Sequence, residues 1–296
     1  MRKLIQHITF LSSLAMLFVS CEKEIDIRVD ASSPVLVVEA SINQYSSLLN
    51  YVFLTTSIDY FKPDLTPGGI KGATVYIYEG IITGNDTTYP DANRTQLFNI
   101  GDINIDSLTP FAQFGQGIYV NPLFMGKENT SYKLDITLTD GRKVTGYTTI
   151  PKVVPITGMY YEITGQPDKN GLRSAYMSFD FTDPIEQNNY RIAIKKGGDS
   201  VALGWGNADT YDNFDDEIIN GVDRTYPFED GFTENDTVNL FFSTIGRKEL
   251  LFWQSFGSAS NSGNPFSTPA ILKSNLTGAT GSFTGYGVSF KQLILK

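Results

Sequence analysis

Imidazole and thiol are almost missing from this chain. Its 296 residues include one histidine and one cysteine, and both, His7 and Cys21, lie at the extreme N-terminus. Beyond them a serine nucleophile has no imidazole base, a Cys/His pair cannot form, and zinc lacks its usual ligands. No P-loop, no G-x-S-x-G elbow and no G-x-G-x-x-G set on a strand-turn-helix unit occurs, so no cofactor is expected. Basic residues are few as well: 23 Lys plus Arg face 32 Asp plus Glu, a net charge of −9. An acidic body gains no affinity from phosphates, which argues against nucleic acid as a partner. The apolar run from Ile8 to Val19 is too short to cross a bilayer, which takes about 20 residues.

That run is still informative by its setting. Arg2 and Lys3 precede it, and Ser20-Cys21 leads into Glu22, Lys23 and Glu24. This is the layout of a secretory signal peptide over residues 1–20. A small residue directly before the cysteine resembles the bacterial lipobox, with Phe18 departing from the usual leucine, and makes Cys21 the expected lipidation site. An ordinary signal peptide with an incidental cysteine is the competing reading. Cleavage before Cys21 leaves 276 residues, with 21 basic against 32 acidic side chains and a charge of −11. Two or more acyl chains anchor a protein stably, each buried methylene contributing about 0.8 kcal/mol. The acidic residues after Cys21 resemble the export signal of surface lipoproteins in Bacteroidota, which would put the protein at the outer membrane, facing outward; a solvated, charged tether is the competing reading. Residues 21–33 read as a tether, reaching roughly 40 Å when extended.

The rest of the chain alternates apolar and polar residues in short segments separated by Gly, Asn, Asp and Pro, the signature of an all-β protein. The segment from Val35 to Ala40 is nearly continuously apolar, as in a strand covered on both faces. Ala73, Val75 and Ile77 share one face, and so do Tyr132, Leu134, Ile136 and Leu138, which run into an Asp140-Gly141 hairpin turn. Pro151 and Pro155 mark a domain boundary or a sheet crossing. After them come Met177, Phe179 and Phe181, an Asp183-Pro184 turn, then Tyr190, Ile192 and Ile194. Further strands are expected at Val238 to Phe242 and Tyr286 to Leu295, and one short helix at Arg247 to Phe256. The expected architecture is two consecutive β-sandwich domains, immunoglobulin-like or transthyretin-like, over 34–150 and 151–296, with at most one or two short helices.

Candidate chemistry is thin. Asp209, Asp212, Asp215, Asp216 and Glu217 cluster in what reads as a long polar loop, but the spacing fails the EF-hand pattern, and a solvated loop is the simpler reading; no metal site is expected. A glycosidase needs only two carboxylates, yet Asp180 and Asp183 flank a turn and read as edge or loop residues, so the chain is not expected to be an enzyme. Aromatic residues are 13% of the chain, and Tyr45, Tyr51, Tyr60 and Phe61 fall in segments that look exposed and suit a contact surface, although most rings in such a chain fill the core. Binding residues are not located by the pattern.

These segments resemble domain-of-unknown-function family 4249, a group of Bacteroidota outer-membrane lipoproteins. The resemblance rests on Cys21-Glu22-Lys23-Glu24-Ile25-Asp26, Leu36-Val37-Val38-Glu39-Ala40, Gly72-Ala73-Thr74-Val75, Thr149-Ile150-Pro151 after the Asp140-Gly141 hairpin, and Phe181-Thr182-Asp183-Pro184. Most specific are Asn264-Pro265-Phe266-Ser267-Thr268-Pro269, Ser274-Asn275 and Gly281-Ser282-Phe283-Thr284-Gly285-Tyr286, with Ala279 and Thr280 departing where a second glycine is frequent. The stretch from Gly72 to Ile150 is more weakly similar to the transthyretin-like, carboxypeptidase-regulatory-like sandwich. The family resemblance implies, by association, a partner in a TonB-dependent outer-membrane receptor and an accessory role in capture or uptake, with the ligand undetermined. A structural or adhesive surface protein and a carboxylate-based glycan-active enzyme are the alternatives; the chain has no internal repeat of the kind an adhesive protein would carry. Asp86-Thr87-Thr88, Asp106-Ser107-Leu108, Asp199-Ser200-Val201 and Asp236-Thr237-Val238 resemble O-glycosylation acceptors of exported Bacteroidota proteins, which would place sugars on Thr87, Ser107, Ser200 and Thr237.

Overall fold

The period-2 alternation read from the sequence becomes strands almost segment by segment. The computed structural model describes residues 34–57, 68–102, 116–197, 210–217, 220–260 and 271–296. Residues 1–33, with the expected signal peptide, Cys21 and the expected tether, lie outside these, as do Tyr60, Phe61 and the Asn264 to Pro269 motif. In chain order the strands are β1 (Leu36–Asn43), β2 (Tyr51–Thr56), β3 (Thr74–Glu79), β4 (Ile81–Thr83), β5 (Asp86–Thr88), β6 (Arg94–Asn99), β7 (Ile118–Val120), β8 (Thr130–Thr137) and β9 (Lys143–Ile150). They continue as β10 (Ile156–Thr164), β11 (Ser174–Thr182), β12 (Asn189–Lys196), β13 (Thr210–Asp215), β14 (Asp223–Thr233) and β15 (Thr237–Thr244). Helix α1 (Arg247–Ser260) follows, then β16 (Leu276–Thr277) and β17 (Thr280–Ile294). The protein is all-β with one α-helix among the described residues.

Twelve strands form one sheet in the order β13-β12-β15-β17-β1-β2-β7-β6-β3-β8-β9-β16, and β10-β11-β14 form a second. The hub of the large sheet is β17. Its first half pairs in parallel with β1, Val37 opposite Thr280 through Asn43 opposite Tyr286, and its second half pairs antiparallel with β15. A fifteen-residue strand spans about 50 Å at 3.3 Å per residue, long enough to serve two cores in succession. The first core holds Val38, Ile42, Leu54, Val75, Ile77, Leu134, Ile136 and Phe283. The second holds Met177, Phe179, Phe181, Tyr190, Ile192, Leu240, Phe242 and Leu295. After Ile150 the chain leaves the large sheet, and at Ile156 it enters the three-stranded one. Pro151 thus divides the cores but not the sheet, because β16 and β17 return to the first half, and residues 34–296 form one compact unit.

Two expectations are revised. The acidic stretch is not a loop throughout: Thr210 to Asp215 is strand β13, paired with β12 from Asp215 opposite Asn189 to Thr210 opposite Ile194. Tyr211, Asn213 and Asp215 alternate with Asp212 and Phe214, a period-2 pattern masked by its acidity. Helix α1 also runs four residues beyond Phe256, with Ser258 Oγ donating back to the Gln254 carbonyl at 2.9 Å. It covers the outer face of the large sheet, where Leu250, Phe252 and Trp253 pack with Ala193, Phe241, Tyr286 and Val288.

Candidate functional site

The outer face of the three-stranded sheet is an open groove of about 710 Å³. It exists because β11 is strictly two-faced. Ala175, Met177, Phe179 and Phe181 point into the second core, so Tyr176, Ser178, Asp180 and Thr182 must point out. Antiparallel pairing places Tyr160 opposite Ser178 and Glu162 opposite Tyr176 on one side, and Pro227 opposite Ser178 and Thr225 opposite Asp180 on the other. Tyr160 and Tyr176 are diagonal neighbours, about 7–8 Å apart at the backbone. Their side chains are 55% and 49% exposed, unusually open for rings in the middle of strands.

The Tyr160 ring lies back along its own strand over Gly158. A Cβ on Gly158 would fall 2.6 Å from the ring's Cζ, so only glycine lets the ring lie flat with its other face in solvent, an aromatic covering a glycine on an edge strand. A register shift between Ile156 and Gly158, and another between Ala175 and Met177 opposite β14, flank the groove; bulges commonly re-aim side chains next to binding sites. Asp180 is held by Thr225, whose Oγ1 donates to it at 2.6 Å. A hydrogen bond to Asp180 and that carboxylate's charge hold the Tyr160 hydroxyl above its ordinary pKa of 10.0. Glu162 is exposed at the groove wall. At one end a smaller groove of about 330 Å³ is lined by Thr157, Asp180, Thr182, Asp223, Arg224 and Thr225, with Thr182 donating to Asp223 at 2.7 Å.

The residues singled out by the sequence pattern do not meet here. Asp183 is a loop residue, as read, in the turn between β11 and β12, but it is buried: it accepts from the Tyr190 hydroxyl and from Gly221 N–H, so it anchors the turn from below while Asp180 faces out. The two carboxylates therefore do not face one cleft. Asp212 accepts from the Tyr226 hydroxyl, Asp215 pairs with Arg247 at 2.6 Å, and Asp216 accepts from Asn188 N–H. Asp209 lies outside the described residues, among which no group of three or more His, Cys, Asp and Glu is arranged to hold a metal. Tyr51 is not free as expected, because its hydroxyl donates to Glu39 at 2.6 Å and burial drives its pKa well up. Tyr45 is partly exposed and packs 5.4 Å from Phe290. Thr87 is exposed on the β4–β5 hairpin, Thr237 is half-buried at the start of β15, and Ser107 and Ser200 lie outside the described residues.

Sequence reasoning missed Tyr160, Glu162 and Tyr176, and for Tyr176 the signal was present. A tyrosine out of phase with Ala175, Met177, Phe179 and Phe181 has to stand on the solvent face. A second feature no pattern announced is Arg191, buried beneath α1 between the rings of Trp253 at 3.8 Å and Tyr211 at 4.7 Å and donating to Asn213 Oδ1 at 2.6 Å. Cation–π contact is stronger when desolvated, about 2 kcal/mol or more, so Arg191 ties the helix to β12 and β13.

Among known proteins, no curated sequence matches this chain. A solved DUF3823 family protein from Bacteroides uniformis is similar over 89% of this chain and 100% of its own, at 10% identity and a TM-score of 0.25, a loose superposition. The family pattern described as "Domain of unknown function (DUF4249)" matches residues 22–292, nearly the whole length, and the chain belongs to that family.

Proposed function

We propose that the protein is a cell-surface lipoprotein, held by acyl chains on Cys21, that acts as a non-catalytic binding subunit beside a TonB-dependent outer-membrane transporter. The observation that carries this reading is the groove of β10, β11 and β14, which turns two tyrosine rings to solvent on a rigid sheet. Exposed aromatic side chains on a preordered surface serve as contact anchors, since they bring area at little entropic cost. The neighbouring Asp180 and Asp223 are each engaged by a threonine hydroxyl, an arrangement that orients a surface. Tethering by lipid confines both partners to one plane and raises their effective concentration, so a modest groove suffices.

The test is co-purification in mild nonionic detergent. Capture of a large outer-membrane barrel with the wild-type chain, lost with the double variant Tyr160→Leu/Tyr176→Leu, supports the reading; reproducible absence of any barrel sinks it. Intact mass of the native protein checks the anchor, and also any sugar on Thr87, Ser107, Ser200 or Thr237, because lipid and glycan each add mass to the peptide.

A further inference from the structure

Among the described residues the one charged side chain lining the groove is acidic: Glu162 stands exposed on its wall beside Tyr176. The smaller adjoining groove carries both signs, lined by Asp180, Asp223 and Arg224, with Lys291 Nζ donating to Thr157 O at 3.3 Å beside it, and Asp180 there reaches the Tyr160 hydroxyl. The chain as a whole is acidic, at −9, so its field draws cations toward the surface. An aromatic face attracts a cation through its quadrupole, and a phenol whose hydroxyl leans on a carboxylate has the more electron-rich ring. Ser178 and Thr225 add hydroxyl acceptors on the floor.

We infer that the groove receives a basic segment of a partner protein, laying a lysine or arginine side chain across the Tyr160 and Tyr176 rings and pairing its charge with Glu162. This rests on the reading of the groove as a binding face and goes beyond it by naming the occupant. Arginine suits the site better than lysine, because its planar guanidinium stacks on a ring while donating sideways to a carboxylate. An acidic segment is repelled by Glu162 and Asp180, and a neutral glycan would use the rings without using the charge.

The experiment uses the full-length exported protein in nonionic detergent and three probes. These are a fluorescent peptide of alternating Gly and Arg, the same peptide with Gln in place of Arg, and a neutral β-linked glucose hexamer. The Arg peptide is expected to bind and the Gln peptide not to. Raising the salt from low to about 1 M, where the screening length falls to roughly 3 Å, is expected to abolish binding. Tyr160→Leu and Tyr176→Leu, which leave the charge unchanged, are each expected to weaken it about two- to five-fold, the worth of an exposed cation–π contact. Glu162→Gln is expected to weaken it and to flatten the salt dependence. Far-UV circular dichroism confirms that these exposed-site variants fold.

Binding of the Arg peptide that ignores both tyrosine variants reports attraction to an acidic body and overturns the assignment. Salt-independent binding of the glucose hexamer, lost in Tyr160→Leu, overturns it in favour of a glycan. If the tyrosine variants lose the outer-membrane barrel while no Arg peptide binds, the groove remains the binding face and the occupant is wrong. If barrel capture is indifferent to them, the face itself is wrong.

Discussion

Cutting the chain after Ile150 asks whether the first set of strands is a domain in the physical sense. Fragment 34–150 keeps β1 to β9 and loses β16 and β17. Phe283, fully buried in the first core, goes with them, as do Leu276 and Ala279 packed against that core. Removing a buried phenylalanine costs about 3–5 kcal/mol, and losing a second large apolar side chain adds about 1.5–3 kcal/mol. Strand β1 is also stripped of its parallel partner from Val37 to Asn43, which leaves a bare edge. Thr148 loses its hydrogen bond to Glu249, 2.8 Å long in the intact chain. The side-chain losses alone reach about 5–8 kcal/mol, comparable with the whole stability of a domain, about 5–15 kcal/mol. The isolated fragment is therefore expected to give a poorly dispersed amide spectrum and no cooperative urea transition. A synthetic peptide spanning 271–296 is expected to restore both. A fragment that unfolds cooperatively at the midpoint of the intact chain would refute the claim that β17 completes the first core.

In the second core, Phe179→Ala removes a ring set 5.0 Å from Phe242 and about as close to Phe181, Tyr226 and Phe228. We expect a loss of about 3–5 kcal/mol in chemical denaturation, and a loss under about 1 kcal/mol would mean the ring is not enclosed. At Gly281 the backbone has φ +137, and a Cβ would lie 1.8 Å from the Val38 carbonyl oxygen. Gly281→Ala should therefore strain the β1–β17 pairing by at least about 1–3 kcal/mol, read as a melting temperature lowered by about 2–4 °C per kcal/mol; an unchanged melt contradicts the pairing. Glu249, buried in the first turn of α1, has its pKa raised above the ordinary 4.5 by burial, against the opposing hydrogen bonds from Thr148 and Asn275. Its contribution to stability is complete below pH 4.5 and is lost as pH rises through the raised folded value. Glu249→Gln should accordingly gain stability relative to the parent as pH climbs above 4.5, and a difference that stays constant across that window would show that the carboxylate is not desolvated.

Legibility followed the strength of local alternation. Val75 and Ile77, the Tyr132 to Leu138 face with its Asp-Gly turn, and the Met177 to Phe181 face appeared in the structure as read, because one buried face forces a period of two. Strand β13 was missed where Asp212, Asp215 and Asp216 outweighed the alternation of Tyr211 and Phe214, although Phe214 packs against the second core. Helix α1 was located but ended too early, since Gly257 and Ser258 are poor helix formers; the last turn instead carries the local bond from Ser258 Oγ back to the Gln254 carbonyl. Of the groove, Tyr176 was readable from its phase. Tyr160 was not, because its role depends on lying over Gly158 and beside Asp180, and Asp180 comes from another strand.

From the sequence alone follow the all-β class and the poverty of imidazole and thiol chemistry, since each is a property of residues taken singly or of near neighbours. Tertiary structure decided the rest: that β17 serves both cores, that β1 runs parallel to it, and that Tyr160, Glu162, Tyr176 and Asp180 share one open face. Pairing between strands far apart in the chain is settled by which buried faces fill one another's volume, and a period of two records that a face exists without saying which face it meets.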